Sequence, residues 1–369
     1  MLFGLCVFSL PQIRRRFYES FYVGHVLMAI TYIGLLFWHA GDAEDSWAYL
    51  WATLAIWLAA WFGRLFWFMR STNIRSQWFV GAPATLKLFP AKLVRIEVER
   101  PADFRFRPGQ HAFLRFPSVS PLDNHPFTIA SAPNTGATTV ENGEGADTIL
   151  FLAKVREGFT RKLARYCLAQ EGKVRTSVSL DGPYGCLSRP RLENRFDSLL
   201  LGAGGSGISP CLSWLLYTTS VTPGKLQNVT LVWAVRDPAS FNWISKELQQ
   251  ISILKRGVQV TLRFFVTGSA IEMVPQCPED KNNSDVVTQP DERPSLEQRI
   301  QALGKLATGR PDLQAVMDDA IVSGTSLAVF ACGPHGMNHE VANICAAAQQ
   351  RVFKGDVKEI CLHVDTFSW

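Results

Sequence analysis

Two histidines lie fourteen residues apart in an apolar stretch of the chain, at His25 and His39. In an α-helix that spacing gives a rise of about 21 Å and a rotation within about 40° of four full turns. Both imidazoles would then lie on one helix face, near opposite sides of a bilayer. This arrangement suits the ligation of two stacked haem irons, and the alternative is a pair of intramembrane polar residues bonded to neighbouring helices.

A glycine-rich turn lies between a short apolar run and a segment that is apolar at helical spacing, which predicts the order strand, turn and helix. Gly202, Gly204 and Gly207 match the pattern GxGxxG, whose backbone N–H groups approach a pyrophosphate at a helix N-terminus. A purely structural turn has the same pattern, and the strand and helix on either side favour nucleotide binding. The six residues of the predicted loop are Gly202, Ala203, Gly204, Gly205, Ser206 and Gly207.

The end of the next predicted strand bears on which dinucleotide binds. An acidic residue in this region holds a ribose 2′-hydroxyl, whereas a cation pairs with a 2′-phosphate. The sequence has Arg236 there, followed by Asp237. Arg236 therefore favours NADPH over NADH, and the alternative is a solvated loop cation.

Two segments offer groups suited to a flavin. Phe127 presents a flat ring to an isoalloxazine, and Thr128 presents a hydroxyl to a ring nitrogen. Gly158, Phe159 and Thr160 predict the start of a helix whose free N–H groups would hold a flavin diphosphate, and the alternative is a plain helix cap.

Cys332, Gly333 and Pro334 follow a predicted buried strand, so they lie at the carboxyl end of a sheet, where ligands of such folds bind. We interpret Cys332 as a neighbour of a nicotinamide and not as a nucleophile, because hydride transfer requires positioning and the cofactors carry the chemistry. By contrast, the composition of residues 181–185 predicts a tight structural turn.

The elements that position these groups fall into a membrane part and a soluble part. Residues 1–70 contain two predicted spans, Ser20–His39 and Ser46–Met69, each long enough to cross about 30 Å of hydrocarbon. Arginines flank both outer ends, whereas the connecting loop is acidic, so the positive-inside rule places the soluble part in the cytosol.

The soluble part contains two predicted domains. Residues 78–190 alternate apolar and polar side chains, as in Val94 to Glu99, which puts one face of a strand in a core and predicts a small antiparallel barrel. Residues 195–369 alternate predicted strands with helices, which is typical of a parallel sheet with crossover helices. The polar, proline-rich stretch at about 269–310 predicts a disordered insertion.

Charge and cysteine content exclude other classes. The net charge of +5 comes from scattered cations, without the basic and aromatic runs of a nucleic-acid surface. The eight cysteines show no metal-ligand spacing and are interpreted as reduced thiols.

Taken together, these motifs resemble the fungal ferric reductase family, which is related to the NADPH oxidases. The soluble half is similar to a ferredoxin-NADP reductase unit. The implied fold is a set of membrane helices, an antiparallel β-barrel FAD domain and an α/β parallel-sheet NADPH domain. The matching segments are Arg14 to Glu19 with His25 and His39, Pro108 to His111, His125 to Ser131, Gly202 to Pro210, Cys332 to Pro334, and Phe367 to Trp369.

The resemblance implies that NADPH reduces FAD on the cytosolic side of a membrane, expected to be the plasma membrane. Electrons would then cross through two b-type haems to extracellular ferric chelates. It also implies cofactor roles for residues that, like His111 and His125, would otherwise be interpreted as packed or surface groups. The implied FAD contacts are His111, His125, Pro126, Phe127, Thr128, Ile129, Ala130 and Ser131, with Phe367 and Trp369 as candidates to cover the flavin. The implied NADPH contacts are residues 202–207, Arg236, Cys332, Gly333 and Pro334, and the hydride would pass near Thr128 and Cys332.

The sequence departs from this family in its membrane part. In the family each haem has two histidines, and the partners of His25 and His39 come from an earlier membrane helix that this sequence does not contain. We therefore expect a chain that lacks N-terminal spans and acquires partner helices or a second copy. Two alternatives remain open: an NADPH oxidase-like producer of superoxide, and a truncated, non-catalytic membrane subunit.

Overall fold

The computed structural model describes residues 2–8, 10, 18–41, 45–71, 81–102, 104–121, 123–133, 148–185, 192–221, 224–254, 257–268 and 296–366. After a short helix α1 (Leu2–Phe8), both predicted spans are helical, as α2 (Tyr18–Ala40) and α3 (Ser46–Ser71). The ring of Phe37 packs against that of Trp51, with centroids 5.1 Å apart, and this contact joins the two helices. Among the described residues one helical window, Val23–Ala40, is both long and apolar enough to cross a membrane.

The first soluble domain is an antiparallel barrel of six strands. They are β1 (Ala82–Phe89), β2 (Leu93–Glu99), β3 (His111–Arg115), β4 (His125–Thr128), β5 (Thr148–Lys154) and β6 (Lys173–Tyr184). The strand order is β4-β3-β6-β1-β2-β5, and a bridge between Ile129 and Phe151 nearly closes the barrel. Helix α4 (Phe159–Leu168) packs on this barrel and contributes Phe159 and Leu163 to its core. The predicted antiparallel barrel is confirmed.

The alternation predicted for β2 holds on its apolar face and fails at one polar position. Val94, Ile96 and Val98 are fully buried in the barrel core, as expected. Arg95, on the opposite face, is also buried, because the second domain covers this face of the strand. Strand β2 is therefore buried on both faces at this position.

The second domain contains a parallel sheet of six strands. They are β7 (Ser198–Gly204), β8 (Asn228–Val235), β9 (Gln259–Val266), β10 (Lys305–Thr308), β11 (Ser326–Cys332) and β12 (Glu359–Asp365). The strand order is β10-β9-β8-β7-β11-β12. The sheet therefore begins at β7, continues to one side through β8, β9 and β10, and then to the other side through β11 and β12. The boundary between β7 and β11 is the switch point at which ligands of open parallel sheets bind.

Helices connect these strands and cover the sheet. They are α5 (Leu192–Arg195), α6 (Ile208–Ser220), α7 (Ser245–Leu254), α8 (Leu296–Leu303), α9 (Leu313–Ala320) and α10 (His335–Phe353), with short 3-10 segments at Gly205–Gly207 and Pro238–Ile244. Helix α6 is buried along almost its whole length, because one side packs on the sheet and the other packs toward the barrel.

The predicted disordered insertion at 269–310 is wrong for its last part. Residues 269–295 lie outside the described residues, but α8 and β10 are ordered, and β10 pairs in parallel with β9. Ile300 of α8 is buried in the domain core, which explains why this polar stretch orders: one apolar side chain per turn is enough to dock the helix.

One hydrophobic core extends across both soluble domains. It joins Leu93, Ala130 and Leu152 of the barrel to Leu212 and Trp243 of the second domain. The two domains therefore share buried apolar surface at their junction, and the positions of their ligand-facing loops are coupled.

Candidate functional site

The glycine turn and the Cys332–Pro334 segment, predicted separately from sequence, lie against each other. Strands β7 and β11 are parallel neighbours, with Ala203 opposite Cys332. A Cβ added at Gly204 would lie 2.5 Å from Cδ of Pro334, and one added at Gly207 would overlap the carbonyl of Cys332. These two glycines are therefore required because the two segments approach closely, backbone to backbone.

Gly205 differs from the other glycines of the turn. It has a φ of +56°, and a Cβ added there would meet no atom within 4 Å. The indole of Trp233 on β8 donates to the Gly205 carbonyl at 2.9 Å and fixes the orientation of this peptide. The turn thus presents open space immediately before α6, where unpaired N–H groups and the helix dipole favour an anion.

The flavin segment lies on three adjacent strands of the barrel. His111 on β3 is opposite Thr128 on β4 and opposite Tyr184 on β6. The tight turn predicted for residues 181–185 is wrong in its position, since Asp181 to Tyr184 continue β6 and pair with β3. This extension places an aromatic ring beside the flavin segment, and Tyr184 is the residue that the sequence reasoning missed.

Hydrogen bonds hold this group of strand ends together. Gln110 donates through Nε2 to the Gly185 carbonyl at 2.6 Å and accepts from the Arg107 N–H at 2.7 Å. The Tyr184 hydroxyl donates to Asp181 at 2.6 Å, which fixes the ring. Thr128, His111 and Tyr184 consequently lie together at one edge of the barrel.

Several residues in the predicted flavin segments face inward. Phe159 is 2% exposed and lies under His125, with ring centroids 4.4 Å apart, while Ile129 and Ala130 are fully buried. These three side chains are therefore packed in the core and are not exposed to a ligand. The predicted helix start is observed, because α4 begins at Phe159, and the Thr160 hydroxyl accepts from the Arg156 N–H at 2.8 Å.

Helix α6 connects the glycine turn to the flavin segment. The hydroxyl of Ser213 donates to the carbonyl of Ser131 at 2.7 Å. At the next residue of this helix, the indole nitrogen of Trp214 would lie 3.2 Å from a Cβ added at Gly109. The helix that starts at the predicted pyrophosphate loop therefore touches both flavin-side segments, 107–111 and 125–131.

Charges at the end of β12 act on this junction. Burial lowers the pKa of His111 and of His363, and the charge of Asp365 opposes the shift at both imidazoles. Burial, with the charge of Asp365, raises the pKa of the Cys332 thiol far above its ordinary value. Cys332 is therefore a neutral thiol at physiological pH, which supports a neighbour's role over a nucleophile's. The predicted flavin-covering residues Phe367 and Trp369 lie outside the described residues.

Arg236, the predicted partner of a 2′-phosphate, directly follows strand β8. It is exposed at the end of β8 and forms no ion pair with a carboxylate of the described part of the chain. Asp237 beside it accepts from the Ala239 N–H at 2.8 Å and caps the following 3-10 segment. The acidic neighbour is thus engaged by backbone, which leaves the guanidinium of Arg236 available to a phosphate.

The two membrane histidines lie on α2. Nδ1 of His25 is buried and has no hydrogen-bond partner among the described residues, whereas His39 is exposed. The other histidines of the chain all belong to the soluble domains. Within the described residues, His25 and His39 have no histidine near them in the membrane-side helices, so these residues do not fit a bis-histidine haem site.

The two soluble domains match models of known protein families. The family model described as ferric reductase NAD binding domain matches residues 196–346, and the model described as FAD-binding domain matches residues 79–188. The chain belongs to the ferric reductase family. The resemblance inferred from sequence is therefore confirmed, and the chain contains an FAD-binding domain and a nicotinamide-nucleotide-binding domain.

Two relatives of this chain are fungal proteins. A probable cell surface ferric reductase, kap2, of Aspergillus oryzae is 32% identical over 271 residues, which cover 72% of this chain and 35% of that protein. The ferric/cupric reductase transmembrane component 7 of Saccharomyces cerevisiae is 26% identical, over 98% of this chain and 59% of that protein. The chain thus spans only part of the length of these relatives.

Two solved structures align with most of this chain. A ferredoxin NADP+ reductase from Neisseria gonorrhoeae, with bound FAD and NADP, is 15% identical with a TM-score of 0.45, covering 77% of this chain and 97% of that chain. The CS-b5R domains of human Ncb5or, in the NAD+ form, are 17% identical with a TM-score of 0.46, covering 76% of this chain and 70% of that chain.

Proposed function

We propose that this chain is a membrane-bound, NADPH- and FAD-dependent ferric-chelate reductase that serves iron uptake. The observation that carries the proposal is the junction at α6. Its N-terminal turn packs on Cys332 to Pro334, and Ser213 in its middle bonds to the last residue of the flavin segment. One helix thus links the segments expected to hold nicotinamide and isoalloxazine.

The barrel edge fits a flavin. His111, Thr128 and Tyr184 lie side by side on three strands, and Thr128 forms no side-chain hydrogen bond within the described residues. Its hydroxyl is available to a ring nitrogen of the isoalloxazine, as the sequence predicted. Bound FAD would accept two electrons from NADPH and release them singly, which is the chemistry a one-electron metal acceptor requires.

The nucleotide domain fits NADPH in preference to NADH. Arg236 has no carboxylate partner in the described part of the chain, and Lys154 of the barrel lies within range of its charge. Burial lowers the pKa of Lys154, and the charges of Arg156 and Arg236 add to this effect. A group of cations that repel one another is stabilised by an anion, and the 2′-phosphate is the anion that distinguishes NADPH.

The membrane part supports an orientation. Arg14 to Arg16 precede α2, and the acidic residues Asp42, Glu44 and Asp45 follow it, so the positive-inside rule places the soluble domains in the cytosol. We propose the plasma membrane as the location, with an extracellular ferric chelate as the final electron acceptor.

Purified full-length protein in detergent tests this proposal. We expect it to carry FAD, to oxidise NADPH much faster than NADH, and to reduce an artificial electron acceptor. Absence of flavin absorbance after mild purification, or equal rates with the two nucleotides, would contradict the proposal. Cells that express the chain with and without a full-length relative are then assayed for Fe(II) and superoxide. Production of superoxide in place of Fe(II) would favour an oxidase. If a Thr128→Ala, Gly204→Val double variant keeps both signals at the wild-type level, a non-catalytic subunit would be favoured.

A further inference from the structure

An arginine with four hydrogen bonds joins the two soluble domains. Arg95 on β2 donates through NH1 and NH2 to the two carboxylate oxygens of Glu247 on α7, at 3.0 and 2.6 Å. NH1 also donates to the Trp243 carbonyl at 2.8 Å, and Nε donates to Glu97 at 2.8 Å. Arg95 and Glu97 belong to the barrel, whereas Trp243 and Glu247 belong to the nucleotide domain.

The pair is buried, and its geometry keeps it charged. The side chains of Arg95 and Glu247 are 8% and 11% exposed. Burial acts to lower the pKa of Arg95, but the hydrogen bonds and charges of Glu247 and Glu97 outweigh it, and the pKa is raised. A guanidinium and a carboxylate joined by two parallel hydrogen bonds are fixed in one plane. The Arg95–Glu247 contact therefore sets the angle between the two groups as well as their distance.

Contacts on the nucleotide side connect Arg95 to the glycine turn. The ring of Trp243 packs against that of Trp233, with centroids 6.3 Å apart, and Trp233 donates to the Gly205 carbonyl at 2.9 Å. The indole of Trp243 also donates across the junction to the Pro90 carbonyl at 3.1 Å. Arg95 is therefore two side chains away from the predicted pyrophosphate turn.

Contacts on the barrel side connect Arg95 to the flavin segment. Strand β2 pairs with β5, where Arg95 is opposite Leu152 and Ile96 is opposite Phe151. Phe151 in turn bridges to Ile129, which follows Thr128 directly. The same arginine thus lies one strand from the flavin segment and two side chains from the nucleotide turn.

We propose that Arg95, through Glu247, is a positioning residue for hydride transfer: the pair holds the barrel and the nucleotide domain at the relative orientation that brings the nicotinamide to the flavin. This inference rests on the proposed NADPH and FAD chemistry. In that step a hydride carries two electrons from NADPH to the flavin and leaves NADP+. The reacting atoms must approach to about 3–3.5 Å, and a displacement of about 1 Å costs a factor of about 100 in rate.

Two single variants on opposite domains test the proposal, each in the full chain in detergent. Arg95→Met keeps the length of the side chain and removes its charge, and Glu247→Gln keeps the shape and removes the opposite charge. The matched control is Arg195→Met, because Arg195 forms an equally bidentate pair with Glu359, at 2.8 and 3.0 Å, within the nucleotide domain alone. Flavin reduction is followed anaerobically by stopped flow at rising NADPH concentrations.

We expect both test variants to lower the saturating rate of flavin reduction at least tenfold, while FAD content and the Kd for NADPH change less than twofold. The double variant should lose no more than Arg95→Met alone, since that substitution already removes the contact with Glu247. Arg195→Met should behave as wild type. An unchanged saturating rate in Glu247→Gln, or an equal loss in Arg195→Met, overturns the proposal.

A second measurement is independent of turnover. Without NADPH, amide hydrogen exchange in residues 93–99 and 245–251 should be faster in Arg95→Met than in wild type, and Arg95→Lys should fall between them because it keeps the charge and loses the two-point geometry. Unchanged exchange in these segments refutes the positioning role. If wild-type flavin is not reduced by NADPH, the proposed function fails, whereas the exchange result still decides whether Arg95 orients the domains.

Discussion

The close approach of Gly204 to Pro334 makes a quantitative prediction for Gly204→Ala. Non-bonded carbon atoms pack at about 3.5–4.0 Å, whereas the added Cβ would lie 2.5 Å from Cδ of Pro334 and 3.1 Å from Cα of Gly333. The Cys332–Pro334 segment must therefore retreat by at least about 1 Å. The backbone of Gly204 is extended, with φ −115° and ψ 113°, so alanine adds no conformational strain and the effect is steric alone.

A retreat of this size has two measurable effects. Forcing a methyl group into packed backbone costs about 1–3 kcal/mol of stability. If Cys332 borders the nicotinamide, the same shift should lower the saturating rate of flavin reduction by a factor of about 100. Stopped-flow reduction of the detergent-solubilised chain measures the rate, and intrinsic tryptophan fluorescence during urea unfolding measures the loss of stability.

Gly336→Ala is the control for this experiment, because Gly336 lies two residues beyond Pro334 and an added Cβ meets nothing within 4 Å. Gly336 is the second residue of helix α10, so alanine there should not destabilise the chain and should leave the rate unchanged. The reasoning is refuted if Gly204→Ala reduces flavin as fast as wild type, or if both alanine variants slow it equally.

Three further predictions concern charge and protonation. Arg236→Ala should raise the KM for NADPH about ten- to hundredfold and leave the KM for NADH nearly unchanged, since a hydrogen bond to a charged group contributes about 1.5–3 kcal/mol. Parallel steady-state assays with the two nucleotides check this prediction. An equal effect on both KM values would contradict it. Because burial raises the pKa of Cys332, the folded chain should resist alkylation of this thiol by iodoacetamide at pH 8. Mass spectrometry of folded and urea-treated protein measures the difference in labelling. Rapid labelling of Cys332 in the folded protein would contradict the prediction. Burial lowers the pKa of His111 and His363 below 6.5. Between that value and the folded pKa the unfolded chain binds more protons, so the free energy of unfolding should fall as the pH drops through about 6.5. Urea titrations at several pH values measure this dependence; His111→Gln should flatten it, and an unchanged slope would count against the prediction.

Local patterns were sufficient to predict the elements that carry the site. The apolar run before Gly202 and the helical spacing after Ile208 predicted β7 and α6, because burial on a strand or on one side of a helix leaves a period in the sequence. The glycine spacing located the turn between them. It did not reveal that Gly204 and Gly207 pack against Pro334 and Cys332, since that contact depends on two strands more than a hundred residues apart becoming neighbours.

The errors and omissions have the same origin. Arg95 alternates with apolar residues, and nothing in its neighbourhood indicates that Glu247, 152 residues later, buries it. Tyr184 was assigned to a turn because glycine and proline precede it, although pairing with β3 keeps it in a strand. In α8 the polar composition outweighed Ile300, whose burial becomes visible only when the helix docks.

The core that crosses the domain junction has a consequence for how the soluble half unfolds. Since Leu93, Ala130 and Leu152 of the barrel are buried with Leu212 and Trp243 of the nucleotide domain, neither half can lose its structure without exposing apolar surface on the other. The two halves should therefore melt as one cooperative unit. A protein cut between β6 and β7 would yield fragments that aggregate when separate and recover solubility when mixed.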